Sequence, residues 1–331
     1  MKIAIVKLSA LGDIIHAMVV LQFIKNHNQN IKIDWVVEES YSGLLDFHPN
    51  INKVHKINIR KYTKKVSIFL IISELKKLRK LDSYDLVIDM QGLLKSAIVS
   101  KCLPSKLILG FDKSSAREML ASVFYNKTFK FDYDKNVIER NFELIKYALG
   151  LPFKTEIISH KLSFLHSNQK LPVSGISNIK KNIILIPGAS YFSKRYPVEK
   201  FAELVNSMDA NYLIIWGNDD EKLLAGRIKK LAPSANICKK LSLEGLVSLV
   251  AKVDLVIGPD TGPTHMGWAM NVPSITLFGP TPGYRNTFVT KYNKKIESES
   301  TVNPRKINKN DYSIKDISVN RLIEVAKSLL I

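Results

Sequence analysis

The feature that most constrains this chain is a repeated alternation. Short apolar runs, each closed by a small or polar turn, are separated by longer helix-like segments. Residues 3–6 (Ile-Ala-Ile-Val) read as a buried strand, after which Gly12 turns the chain into a helix from about Ile14 to Lys25. Residues 33–37, 86–88 and 106–110 supply further strands. The pattern pauses between Leu151 and Lys181, a stretch holding Pro152, Pro172 and several Ser and Asn, and then restarts. Residues 182–186 are a fresh strand, 198–208 a helix, and 212–216, 235–238, 255–257 and 274–278 continue a second sheet. Strands alternating with helices imply parallel βαβ units. At 331 residues the chain exceeds one ordinary domain. The expectation is an α/β protein of two Rossmann-like, doubly wound domains, residues 1–160 and 161–331, facing a central cleft. The final helix, residues 319–330, could return to the first domain. Ligands of such sheets bind outside the carboxyl ends of the strands, so the loops after strands should carry the chemistry.

The first such loop is Lys7-Leu8-Ser9-Ala10-Leu11-Gly12-Asp13. Asp13 sits where a helix begins and reads either as an N-terminal cap, favoured by the helix dipole, or as a general base. The second loop runs from Pro187 to Pro197. Its small residues leave backbone N–H groups approachable, Ser190 can donate a hydrogen bond and Lys194 offers a point charge, which together suit a phosphate. A surface turn with a solvated lysine is the alternative. The third loop is the strongest signal. After an apolar strand, Asp260-Thr261-Gly262-Pro263-Thr264-His265 is dense in turn-formers and enters a helix, with Pro263 suited to its first position. Thr261, Gly262 and the following amides would meet a pyrophosphate at the positive helix end, with His265 turned toward the same place. Asp260 as a cap and His265 as a core histidine is the bland reading, and Asp260 is expected to shape the loop rather than to catalyse. Glu221, after another strand, reads as a ribose-hydroxyl acceptor by analogy with dinucleotide folds, or as ordinary first-turn helix charge.

Charge and cysteine content bound the rest. Lys and Arg number 49 against 30 Asp and Glu, a formal charge of +19, which predicts an anionic partner: nucleic acid, lipid headgroups or phosphorylated substrates. Between residues 53 and 80 ten Lys and Arg stand against Glu74 alone. Nucleic acid is disfavoured, because no DNA- or RNA-binding motif accompanies the charge. Cys102 and Cys238 are far apart in apolar settings, which fits a reducing compartment rather than a disulfide framework. The opening apolar run is too short for a signal peptide, and no stretch reaches the roughly 20 apolar residues that span a bilayer. No His/Cys cluster has zinc spacing, and no nucleophile elbow is present. The apolar run at 66–72 could dip into a membrane interface or pack as an ordinary core helix, and the core is the expected place.

Taken in order, eight segments resemble the lipopolysaccharide heptosyltransferases, a GT-B glycosyltransferase family (glycosyltransferase family 9). They are residues 7–13 with Ile14-Ile15-His16, Asp34-Trp35-Val36-Val37-Glu38-Glu39, Asp89-Met90-Gln91-Gly92-Leu93-Leu94-Lys95-Ser96, Ala116-Arg117-Glu118, Phe124-Tyr125-Asn126-Lys127, Ser242-Leu243-Glu244-Gly245, residues 260–265, and Phe278-Gly279-Pro280-Thr281. The resemblance implies an inverting transfer of L-glycero-D-manno-heptose from ADP-heptose as donor substrate, with no cofactor required, to a Kdo residue of Kdo-lipid A. It favours that acceptor over a different core acceptor. It also implies a cytoplasmic enzyme, peripheral on the anionic inner face of the inner membrane. Carried over by position, Asp13 matches the catalytic base. Ser190, Lys194, Glu221, Leu241, Asp260, Thr261, Gly262 and His265 match donor positions. Lys7, Ser9, Arg60, Lys61, Lys64 and Arg117 match an acceptor face. Residues 188–193 depart from the family's polar pattern, having Ala189, Tyr191 and Phe192.

Overall fold

A computed structural model describes residues 1–168 and 175–331, with the side chain of Lys64 and residues 169–174 lying outside the description. The described chain divides into two compact units, Met1–Phe164 and Leu165–Ile331.

In the first unit, β1 (Lys2–Val6) leads into α1 (Leu11–Met18) and α2 (Val20–His27), then β2 (Lys32–Glu38), β3 (Lys53–Ile57), α3 (Ile59–Lys64), α4 (Ile68–Leu78), β4 (Leu86–Asp89), α5 (Leu94–Cys102), β5 (Ile108–Phe111), β6 (Lys127–Phe129) and α6 (Val137–Leu149). The strands form one sheet in the order β3-β2-β1-β4-β5-β6. Beyond the first residue of β1 and of β2, its central strands are buried along their whole length because helices cover both faces. One face packs α4, α5 and the 3-10 turn Met119–Phe124 against Ala4, Val6, Val36, Val87 and Ile108. On the other side α1 and α2 meet α6, where Phe23 and Phe142 stack edge-to-face at 5.4 Å. The Asn136 side chain caps α6 by accepting from the Ile138 N–H, and Gly150, at φ 64°, ends it.

The second unit repeats the plan. It runs β7 (Asn182–Leu185), α7 (Val198–Ser207), β8 (Asn211–Ile214), α8 (Asp219–Leu231), β9 (Asn236–Ile237), α9 (Leu243–Val250), β10 (Leu255–Pro259), α10 (Gly262–Ala269), β11 (Ser274–Phe278), α11 (Gly283–Asn286), β12 (Asn293–Glu297) and α12 (Val319–Leu329). Its sheet order is β12-β11-β10-β7-β8-β9. Numbered within each unit, both sheets read 3-2-1-4-5-6, and among the described residues every pairing of named strands is parallel. The apolar face of α12, with Val319, Leu322 and Ala326 buried, is spent on α7 in the second unit's own core.

Three observations correct the sequence reading. The helix expected from Ile14 to Lys25 is two helices, α1 and α2, that meet at Val19. β3, β6 and β12 were not anticipated. All three are edge strands carrying lysines, the residues that keep a sheet edge from pairing with another chain, so their apolar signal is diluted. Residues 66–72 are mostly not core: Val66, Ile68, Phe69, Leu70 and Ile72 are exposed, and of this run only Ile71 joins Leu75 and Leu78 in packing α4 onto the sheet.

Candidate active site

In a 3-2-1-4-5-6 sheet the connections from strands 1 and 4 leave toward opposite faces, which opens a crevice beyond their carboxyl ends. Those strands are β1 and β4 in the first unit and β7 and β10 in the second. In each unit the loops after this pair are bonded to one another.

In the first unit the bonds run between the β1 and β4 loops. Buried Lys7 donates from Nζ to the Met90 carbonyl at 2.9 Å. Gln91 Oε1 accepts the N–H groups of Leu8 (2.7 Å) and Ser9 (3.3 Å). Gln91 is itself set by Asp89, whose Oδ1 accepts the Gln91 and Gly92 N–H groups at 2.8 and 3.2 Å while Oδ2 accepts from the Tyr125 hydroxyl at 2.8 Å. Complete burial pushes the Asp89 carboxyl above its ordinary range, and these hydrogen bonds oppose the rise without cancelling it. Gly92 takes φ +67°, the left-handed region that favours glycine. Asp13, half-buried in the first turn of α1, accepts the Ala10 N–H on Oδ2 at 3.1 Å. It therefore caps the helix with one oxygen and keeps the other available.

The expected acceptor cations arrive from neighbouring strand ends of the same sheet. Glu38, the last residue of β2, accepts the Arg60 N–H on both oxygens (2.9 and 3.2 Å) and the Lys95 ammonium on Oε1 (2.6 Å). Arg60 Nη1 donates to the Tyr41 hydroxyl at 2.8 Å. Lys61 is exposed beside it on α3. Arg117 is exposed, with its backbone against the Gly92 turn. Ser9 lies at 3.5 Å from Gln91 Nε2.

In the second unit the equivalent bond is an ion pair. Lys194, after β7, places Nζ 3.0 Å from Oδ2 of Asp260, after β10. His265 Nε2 lies 3.0 Å from the other carboxylate oxygen, and Asn286 Nδ2 donates to Oδ2 at 3.2 Å. Lys194, Asp260 and His265 are all buried. Burial alone would raise the Asp260 carboxyl, but the Lys194 charge and the contacts with His265 and Lys194 outweigh it and hold the carboxyl well below the usual range. Thr261 caps α10 through its backbone; Pro263, expected at the first helical position, takes the second, after Gly262. The Thr264 hydroxyl donates to the Pro259 carbonyl at 2.7 Å, which tightens the turn. Glu221 Oε2 accepts the Gly217 N–H at 2.7 Å. Its carboxyl lies so close to Gly188 that a Cβ there would be 2.3 Å from Glu221 Cδ. Leu241 is half-buried ahead of α9, and Ser190 is exposed.

Two residues of this region escaped the sequence reading. Ser193 Oγ and Thr281 Oγ1, in the loops after β7 and β11, are buried hydroxyls without a partner among the described residues. A buried hydroxyl left unmatched is costly, so each asks for a ligand or water. The Phe278-Gly279-Pro280-Thr281 segment was a signal for the second. Nothing local distinguished Ser193 from Ser190.

Known proteins are similar to this chain in sequence and fold. The family model Glycosyltransferase family 9 (heptosyltransferase) matches residues 72–313. Lipopolysaccharide heptosyltransferase 1 of Campylobacter coli is 38% identical, covering 99% of this chain and 99% of that protein. E. coli heptosyltransferase WaaC, solved with ADP, superposes with a TM-score of 0.82 at 27% identity, covering 99% of this chain and all of that one (100%). The same enzyme with ADP-2-deoxy-2-fluoro heptose gives 0.80 at 26% identity, over 99% of both chains. The chain belongs to glycosyltransferase family 9, the heptosyltransferases. The expected α/β fold of the GT-B class, with two Rossmann-like units, is borne out, as is the reading of the chain as a glycosyltransferase. Among the described residues no helix is long and apolar enough to cross a membrane.

Proposed function

We propose that the chain transfers L-glycero-D-manno-heptose from ADP-heptose to a Kdo residue of Kdo-lipid A, with inversion, in lipopolysaccharide inner-core biosynthesis. The observation that carries this reading is the buried Lys194–Asp260–His265 cluster at the start of α10, in a chain 38% identical end to end to a heptosyltransferase 1. The donor's diphosphate is assigned to Lys194, the hydroxyls of Ser190, Ser193 and Thr281, and the amides of Thr261 and Gly262, with His265 behind them, its own N–H donating to the Thr261 carbonyl at 3.3 Å. Glu221, steadied by the Gly217 N–H, takes the ribose hydroxyls, and Leu241 lies against the adenine. Asp260 orients Lys194 and His265 rather than meeting the diphosphate, since two anions would repel.

Asp13 is the base. Its remaining carboxylate oxygen takes the proton of a Kdo hydroxyl as that oxygen bonds to the heptose anomeric carbon. The bond from that carbon to the β-phosphate oxygen breaks, and ADP leaves carrying the electron pair. Charge growing on the departing diphosphate is met by Lys194 and the α10 amides, fixed before the reaction starts, which is the term that usually dominates such catalysis. Arg60, Lys61, Lys64 and Arg117, with Ser9 on the loop, form the acceptor face for a phosphorylated lipid, while buried Lys7 holds that loop through the Met90 carbonyl. The enzyme then works in the cytoplasm, peripheral on the anionic inner face of the inner membrane, where each well-placed cation contributes about 1 kcal/mol. The direct test incubates purified protein with ADP-heptose and Kdo-lipid A and looks by mass spectrometry for one added heptose. No mass gain with this acceptor, but gain with an already heptosylated core, would move the chain to another acceptor.

A further inference from the structure

Heptose transfer explains the charged loops of the first unit but leaves a set of exposed apolar side chains without a role. Val66, Ile68 and Phe69, at the start of α4, are 88%, 74% and 78% exposed, and Met119, Leu120 and Val123, on the 3-10 turn, are 61%, 62% and 73% exposed. Both elements already have apolar sides committed to the core. Ile71, Leu75 and Leu78 from α4, and Ala121 and Phe124 from the turn, join one cluster over one face of the sheet, and α5 touches both elements. Of the exposed apolar residues of α4, Ile68, Phe69 and Ile72 form a second stripe, about 100° round the helix from the first, with Leu70 standing apart from both. An amphipathic helix needs one apolar stripe to fold; a second one faces something else.

Its surroundings say what. Exposed Lys61 and Lys65 precede the α4 stripe, Lys76, Lys77, Arg79 and Lys80 follow it, and Lys113 and Arg117 flank the other crest. The nearby acids in the chain are engaged: Glu74 is buried against Lys77 and the Asn58 N–H, and Glu118 accepts the Leu94 N–H. A second copy of this surface would bring cation against cation, whereas an anionic bilayer offers matching charge and an apolar interior together.

We propose that this layer of the first unit is a membrane-insertion face. Val66, Ile68, Phe69, Met119, Leu120 and Val123 enter the headgroup–acyl boundary, and the encircling lysines and arginines meet anionic headgroups. The proposal rests on the reading of a membrane-embedded acceptor and names the side chains that reach it. It also changes the nature of the attachment, since charge alone would leave the protein on the surface and removable by salt.

The test uses the full-length protein and phosphatidylcholine vesicles with and without phosphatidylglycerol. Phe69→Trp should shift its emission to the blue with anionic vesicles and be quenched by lipids brominated near the headgroup. Phe69→Ser and Leu120→Ser should each weaken partitioning by about tenfold, with unchanged thermal stability because both side chains are exposed. High salt should weaken but not abolish wild-type binding, and should abolish that of the double variant. Emission unmoved by vesicles, serine variants that partition like wild type, or loss of a dimer as the variants' main effect would each overturn the proposal. Transfer to a deacylated, water-soluble acceptor should be the same in all variants. If that transfer fails in the wild type, the assigned reaction is wrong, a result read separately from vesicle binding.

Discussion

Asp260 is a residue proposed to organise a site without touching the reaction. Its carboxylate holds Lys194, His265 and Asn286 in one buried arrangement. Removing the charge while keeping the shape, as in Asp260→Asn, leaves Lys194 buried without its counter-ion and should cost about 3–5 kcal/mol, read as a lowered urea midpoint. The acid response should change too. Because the folded-state pKa is depressed, the stabilisation is whole above the ordinary carboxylate range, about pH 4, and is lost as the pH falls below it. Stability of Asp260→Asn should therefore vary less with pH in that acid window; equal slopes for variant and wild type would remove this role. Asp13 is the opposite case, a residue with a structural bond on one oxygen and work assigned to the other. Asp13→Asn should retain ADP affinity within a few-fold and lose roughly 10²–10⁴ in kcat. Turnover near the wild-type value would dismiss Asp13 as the base.

At the scale of elements, the site is made by loops tied across the switch point. Gln91 bonds to Leu8 and Ser9, 83 and 82 positions away in sequence, and so fixes the loop that presents Asp13. Gln91→Ala should lower kcat about tenfold or more while leaving ADP affinity unchanged, because proton transfer is sensitive to misplacement and the donor subsite lies in the other unit. A loss confined to ADP affinity would contradict that assignment. Distance along the chain also decided what the sequence could disclose. The inner strands β1, β2, β4, β5, β7, β8, β10 and β11 were legible as apolar runs, and the loops after some of them were marked by Gly12, Asp13, Lys194 and residues 260–265. The tether by Gln91 and the pairing of Lys194 with Asp260, 66 positions apart, were not. Such contacts are set by which strands lie side by side, and local composition carries no record of that. Lys7 illustrates the same limit: placed on the acceptor face by resemblance, its ammonium is bonded to the Met90 carbonyl inside the fold.

At the scale of the whole molecule, the two units share one strand order and divide the labour. The proposed donor residues all belong to the second unit and the base to the first. ADP at about 100 times its dissociation constant should stabilise what it binds by about 2.7 kcal/mol. Hydrogen exchange with and without ADP should therefore slow in the loops after β7, β8, β10 and β11, and little around Gln91 and Arg117. Slowing centred on the first unit would misplace the donor. The tandem arrangement has a further consequence, in time rather than space. All six strands of the first sheet precede β7, so nothing in that sheet waits for the second half of the chain. At ordinary translation rates the second half takes on the order of ten seconds to make. During that interval a nascent chain on the ribosome should already display its basic, apolar-crested face, well before the proposed donor subsite is made. On this reading the polypeptide acquires its proposed address before it can bind its substrate.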